Sequence, residues 1–192
     1  MKQRLADYVF LFLVASAIVA LDQACKLLVR VNLMQDEIFH PELWVSQYVR
    51  FVHLKNSGAA IGLLPGFGDI FMFLSALICV AVLYYYARIP HQQWLLRLSM
   101  ALVLGGAVGN LVDRMQQGYV TDFISVLNLP VFNLADLSVL TGFILLFFDL
   151  WRKEQRKGMT QNAAPKGGES GNEEHSGRNL TSYTSLEDAR SG

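Results

Sequence analysis

Four long apolar blocks, at residues 8–29, 69–87, 94–112 and 129–151, constrain this chain more than any other feature. Each approaches or exceeds the roughly 17 to 25 residues that a membrane-spanning helix needs. The pattern predicts a mainly α fold: a four-transmembrane-helix bundle occupying residues 1–157. The 38 residues or so between the first two blocks are too many for a simple helix hairpin, on the order of 2–8 residues. Within that loop, residues 44–55 mix Trp, Tyr, Val and Phe with Ser, Gln, Arg and His, as half-buried strands do. Residues 119–127 have the same character, and the two stretches together predict a small β-sheet, a cradle, on the outer membrane surface. Asn56-Ser57-Gly58 and Leu64-Pro65-Gly66 are turn signals. Trp44, Tyr48 and Phe51 suit the headgroup level, and His40 and His53 are expected at the interface or in the loop rather than as ligands.

Charge sets the orientation. The formal net charge is zero, which gives no global attraction for nucleic acid. Its placement is uneven: Lys2 and Arg4 precede the first block, Arg88 and Arg97 bracket the second connection, and Arg152, Lys153, Arg156 and Lys157 follow the fourth. The excess of basic residues on inner loops places both termini in the cytoplasm. Arg30, Arg50, Lys55 and Arg114 then stand on the outer side against the rule, which implies work for some of them. The first block is too long for a secretory signal peptide and lacks a small-residue cleavage pattern. Cys25 and Cys79 fall at different depths, so they are expected as packing residues and not as a disulfide. Residues 158–192 are rich in Gly, Ser, Asn, Glu and Thr, a composition that predicts a disordered polar cytoplasmic tail.

Polar residues at the ends of apolar spans are costly unless they face a bundle interior or a wet cavity, so each is a candidate for function. Asp22 and Lys26 lie four apart on one face of the first helix, as a self-neutralising pair with Lys26 reaching to the interface or as the brace of an outer site. Gly105 and Gly109 give a small-xxx-small spacing for close helix approach. Asn110, Asp113 and Arg114 share a face where the third span ends, and Asn133 and Asp136 share one in the first turns of the fourth, which is expected to start near Pro130. Asp122 lies on the candidate strand between them. Two aspartates brought together share one proton, because neighbouring like charges raise one pKa, and such a pair activates water as in aspartic proteases.

Other chemistries remain open on the residues alone. A Ser/Lys hydrolase would pair Lys26 with Ser57 or Ser46, although Asp22 beside Lys26 keeps it protonated. A metallohydrolase would use Asp113, Asp122 and Asp136, without a His/Glu cluster to support it. A non-enzymatic transporter or proton relay would use the same acidic residues, but wants them near the bilayer midplane.

The motifs Asp22-x3-Lys26, Asn56-Ser57-Gly58-Ala59-Ala60, Gly105-Gly106-Ala107-Val108-Gly109-Asn110-Leu111-Val112-Asp113-Arg114, Val120-Thr121-Asp122-Phe123 and Phe132-Asn133-Leu134-Ala135-Asp136 closely resemble those of the lipoprotein signal peptidase (signal peptidase II) family. The likeness runs in order over residues 8–151; Ile61 stands where phenylalanine is frequent, a conservative apolar change. The resemblance implies a bacterial inner-membrane aspartyl endopeptidase with four helices, an outer cradle and a periplasmic-facing site. It implies cleavage of prolipoproteins before their diacylglyceryl-modified cysteine. It makes Asp122 and Asp136 the catalytic pair, and Asp22, Lys26, Asn56, Gly106, Asn110, Arg114 and Asn133 the residues that orient the pair or bind substrate, with Asp113 a structural partner. The expected partners are diacylglyceryl-modified precursors and membrane lipid, with no nucleic acid; no cofactor or metal is expected, and the chain is expected to be a monomer.

Overall fold

The computed structural model describes residues 2–41, 48–58 and 68–163. Its elements in chain order are α1 (Lys2–Asn32), β1 (Ile38–Phe39), β2 (Val49–Asn56), α2 (Gly68–Tyr86), α3 (Trp94–Gln117), β3 (Val120–Val126) and α4 (Leu134–Ala163). Four stretches, Leu5–Asn32, Gly68–Tyr86, Trp94–Gln117 and Leu134–Arg156, are long and apolar enough to cross a membrane. The expected Trp44 belt, the Leu64-Pro65-Gly66 turn, Ser46, Ile61 and the tail beyond residue 163 lie outside the described residues. Contacts divide the chain into one unit at Met1–Glu154 and a second from Gln155 onward.

α3 is the central helix: its apolar stretch is 56% buried within the protein, against at most 22% for the other three. It packs on α1 and α2. Small residues make this possible. A Cβ on Gly105 would lie 2.8 Å from Ile18 Cβ on α1, and one on Gly106 would run into the Ala135 carbonyl oxygen on α4. Neighbouring backbones therefore approach α3 on two sides. The outward faces keep large apolar residues exposed, Phe12 and Leu13 on α1, Phe73 and Val80 on α2, Phe143 and Phe147 on α4, as suits helices whose solvent is hydrocarbon. At one end of the bundle Asp7 pairs with His91 at 2.8 Å and with Arg97, while Tyr86 donates to the Asp7 carbonyl at 2.9 Å. This ties the start of α1 to the turn between α2 and α3.

The other end carries a three-stranded antiparallel sheet in the order β1-β2-β3. Leu54 lies opposite Asp122 and Asn56 opposite Val120, with an irregularity between Phe51 and Leu54. α3 stops at Gly118, whose φ of 76° would strain any residue with a side chain, and whose N–H closes on the Arg114 carbonyl at 2.9 Å. The chain turns straight into β3.

One expectation changes. α4 begins at Leu134, not near Pro130, because Phe132 is taken into an antiparallel bridge with Ile124 and cannot also start a helix. Its helical backbone continues to Ala163. His53 lies on β2, between the first two spans, and is buried, with its Nδ1 3.0 Å from the Leu33 carbonyl oxygen.

Candidate active site

Asp122 points from β3 and Asp136 from the first turn of α4, and hydrogen bonds connect them. Asn133 Nδ2 donates to Asp122 Oδ1 at 2.6 Å, and the Asn133 backbone N–H reaches Asp136 Oδ2 at 3.3 Å. Asn56 Nδ2 donates to the other oxygen of Asp122 at 2.8 Å, and Asn110 Nδ2 donates to Asp136 Oδ1 at 2.7 Å.

Each of these three asparagines has its amide oxygen held by a donor that cannot turn away. The Gly58 N–H holds Asn56 at 3.1 Å, the Lys26 ammonium holds Asn110 at 3.0 Å, and the Asp136 N–H holds Asn133 at 2.9 Å. An amide with its oxygen so engaged must present its NH2 on the opposite side. Three fixed donors therefore face two carboxylates, and none of the three asparagines competes for a proton.

Lys26 does not reach to the interface. Its side chain is 0% exposed, with Nζ 2.7 Å from Asp22 Oδ2 and 3.1 Å from Asp113 Oδ2. The pair is not at the interface: both carboxylates that neutralise the lysine lie inside the bundle. Asp22 also accepts the Ala135 N–H at 2.9 Å, satisfying a donor that the first turn of α4 leaves free. Gly109 lies under this contact: a Cβ there would come within 2.8 Å of Asp22 Oδ2. Gly106 lies close against the Ala135 backbone, one residue before Asp136.

Asp113 is fully buried and turned away from the pair, toward Lys26, the Arg30 guanidinium at 2.8 Å and the Thr121 N–H at 3.0 Å. A metal reading that needs Asp113 with Asp122 and Asp136 loses its third ligand to these partners. Lys26, with Asp22, Asp113 and Asn110 around its ammonium, is equally unsuited as the free amine of a Ser/Lys hydrolase. Arg114 is half-buried, with its guanidinium 5.7 Å from the Phe71 ring centre and within electrostatic reach of Asp136 and Asp122.

Burial pushes the Asp122 carboxyl up to about 6, and the charge of Asp136 adds to the effect; the Asn56 and Asn133 hydrogen bonds oppose it. The carboxyl is 1% exposed and lies beside a second acid, so it retains a proton that an ordinary aspartate sheds.

Sequence reasoning missed Gln23, Thr121 and the specific task of Arg30. Gln23 Nε2 lies 3.1 Å from both Asp113 Oδ1 and the Gly109 carbonyl, and Arg30 Nε donates to Thr121 Oγ1 at 2.9 Å. Arg30 had a legible signal, since Asp22, Lys26 and Arg30 recur every four residues along one helical face.

A family model described as signal peptidase (SPase) II matches residues 14–152. A lipoprotein signal peptidase of Moorella thermoacetica is 41% identical over 138 residues, which cover 72% of this chain and 90% of that protein. One from Bacillus subtilis is 35% identical over 143 residues, covering 72% and 91%. A solved structure described as a bacterial membrane enzyme, determined in meso at 2.3 Å, superposes with a TM-score of 0.71 at 27% identity, covering 77% of this chain and 91% of that one. A second, at 1.9 Å, gives 0.66 at 28% identity, covering 73% and 92%.

Proposed function

The chain belongs to the signal peptidase II family of aspartic-type proteases, which remove the signal peptides of prolipoproteins, and we propose that Asp122 and Asp136 are its catalytic pair. The observation that carries this is the set of three orientation-locked asparagine donors aimed at two adjacent carboxylates. Such an arrangement has no purpose in packing, since a pair of apolar residues would fill the same space without desolvating two acids.

In this reading the shared proton starts on Asp122, whose burial favours the neutral acid. Asp136 starts as the carboxylate, at a helix N-terminus where negative charge is favoured. Asp136 takes a proton from water as the water oxygen bonds to the scissile carbonyl carbon, and Asp122 gives its proton to the carbonyl oxygen. The resulting gem-diol collapses when Asp136 passes its proton to the leaving nitrogen and Asp122 recovers one from a diol hydroxyl. The C–N bond breaks, and both carboxyls return to their starting state. Arg114, Asn56 and Asn110 hold the substrate backbone and the carboxylates in line.

The substrate is a precursor whose cysteine carries a diacylglyceryl group, cut on the N-terminal side of that cysteine. Its acyl chains keep it in the bilayer, so the bond must be presented where membrane meets water. The pair lies at the sheet end of the bundle, and the basic connection with Arg88 and Arg97 lies at the other. The positive-inside rule then puts both termini in the cytoplasm and the site on the outer, periplasmic side of the inner membrane. One chain supplies both carboxylates, as a monomeric enzyme requires.

The test compares cleavage of a lipidated precursor with the same precursor lacking the diacylglyceryl group; equal rates on both would remove the lipid from the specificity. In a background without Cys25 and Cys79, a cysteine at Gln116 should react with an impermeant thiol reagent on intact cells and one at Gln92 should not.

A further inference from the structure

Two aspartates outside the pair stand in the same relation to it. Asp22 accepts the backbone N–H of Ala135, the residue before Asp136, at 2.9 Å; Asp113 accepts the backbone N–H of Thr121, the residue before Asp122, at 3.0 Å. Lys26 joins the two, 2.7 Å from Asp22 and 3.1 Å from Asp113, with all three side chains fully buried. Arg30 extends the array on the β3 side alone. Its Nη2 meets Asp113 at 2.8 Å and its Nε donates to Thr121 Oγ1 at 2.9 Å, with 20% of the side chain exposed. Two cations against two anions leave the array neutral, the condition under which buried charges persist.

We propose that this array is a spacer that fixes the distance between Asp122 and Asp136, with Lys26 at its centre and Arg30 the positioning residue of its β3 arm. The inference rests on the catalytic reading of Asp122 and Asp136. Asn133 joins the tips of the two carboxyls, but the backbones behind them belong to different elements, linked by residues 127–133. The array supplies what that link lacks: a reference on α1 and α3 to which both backbones are tied. Separation matters because two acids share a proton only while each feels the other's charge, and that interaction falls with distance.

The groups that face the pair are Asn56 from β2, Lys26 from α1, Asn110 and Arg114 from α3, and Asn133 ahead of α4. Arg30 is not among them. Replacing it leaves every group that touches the carboxyls in place and loosens only the β3 arm. When coupling between two acids weakens, their two titration steps draw together. The pH–rate bell should therefore narrow from both sides, which a loss of folded enzyme does not produce.

The experiment measures kcat and KM across pH for full-length Arg30→Gln, Arg30→Lys and Thr121→Val in detergent, with a lipidated precursor. Arg30→Gln should lower kcat about tenfold, within the range that small misplacements of reacting groups cost, leave KM within about twofold and narrow the bell. Arg30→Lys should recover part of the rate and width. Thr121→Val removes one hydroxyl, keeps the fold and should narrow the bell in the same direction by less, so it decides the matter if Arg30→Gln fails to fold. A bell of wild-type width in folded Arg30→Gln or, failing that, in Thr121→Val overturns the spacer. Failure of the catalytic assignment shows elsewhere, as turnover retained by Asp136→Asn.

Discussion

Asn133 and Asp136 cap each other: the Asn133 side-chain oxygen accepts the Asp136 N–H at 2.9 Å, and the Asp136 carboxylate accepts the Asn133 N–H at 3.3 Å. This is a capping box, the reciprocal arrangement that satisfies two free donors at a helix start. The Asn133 NH2 is left for Asp122, at 2.6 Å. A local rule of helix initiation thus places one carboxyl and secures the other.

Capping and catalytic support in Asn133 are separable. Asn133→Asp keeps an oxygen for the Asp136 N–H but loses the donor to Asp122 and puts a third acid against it. Its thermal midpoint in detergent should stay close to wild type, while kcat falls on the order of 10²-fold, as for loss of one acid–base function. Asn133→Ala should lose both, with a cap cost of about 1 kcal/mol in addition. Near-normal turnover in Asn133→Asp would count against a role beyond capping.

Asp122 predicts a stability that depends on pH. Its carboxyl lies at about 6 in the fold against 3.8 for the unfolded group, so between those values the folded state holds more protons than the unfolded. Stability then falls as pH rises through that window, by on the order of 3 kcal/mol in total. Below about pH 4 the penalty is absent, and above about 6 it is complete. Asp122→Asn lacks this titration. Plotted against pH, the difference in unfolding free energy between Asp122→Asn and wild type should shift in favour of the variant from pH 4 to pH 7, whatever fixed offset the amide introduces. A flat difference would mean that the carboxyl is not strained by burial. On the proposed assignment the same titration gives a catalytic limb: kcat/KM should fall as pH rises through about 6, where the free enzyme would lose the shared proton.

Much of this architecture is legible in the residues. The four apolar blocks fix the helices, because a span requires length and hydropathy and little else. The alternation in residues 119–127 reveals β3, and the spacing of Asn133 and Asp136 shows that they share a face. The tertiary partners of buried charge are harder to read. Lys26 looks like an interfacial lysine until Asp113, far along the chain on α3, is seen to meet it. Pro130 looks like a helix start until Phe132 is seen to pair with Ile124. In both cases a long-range contact overrides a sound local preference, and one sequence does not display such contacts.

The catalytic assignment itself is tested by Asp122→Asn and Asp136→Asn. An amide has nearly the shape of a carboxyl but neither accepts a proton from water nor gives one to a carbonyl oxygen at these pH values. Each single variant should lose at least about 10²- to 10⁴-fold in kcat, with binding of a lipidated peptide largely retained. The double variant should be little worse than either single, because groups that act as a unit lose function non-additively. The surroundings sharpen the expectation. An amide at position 122 faces NH2 donors from both Asn56 and Asn133, so its own NH2 must oppose one of them. At position 136 it faces the Asn110 NH2 on one side and the Asn133 N–H on the other, with the same conflict. Both sites present donors to two oxygens, which a carboxyl group offers in either protonation state and an amide does not. Near-normal turnover of a lipidated precursor by either variant would remove that residue from the chemistry and leave the asparagine donors without a purpose.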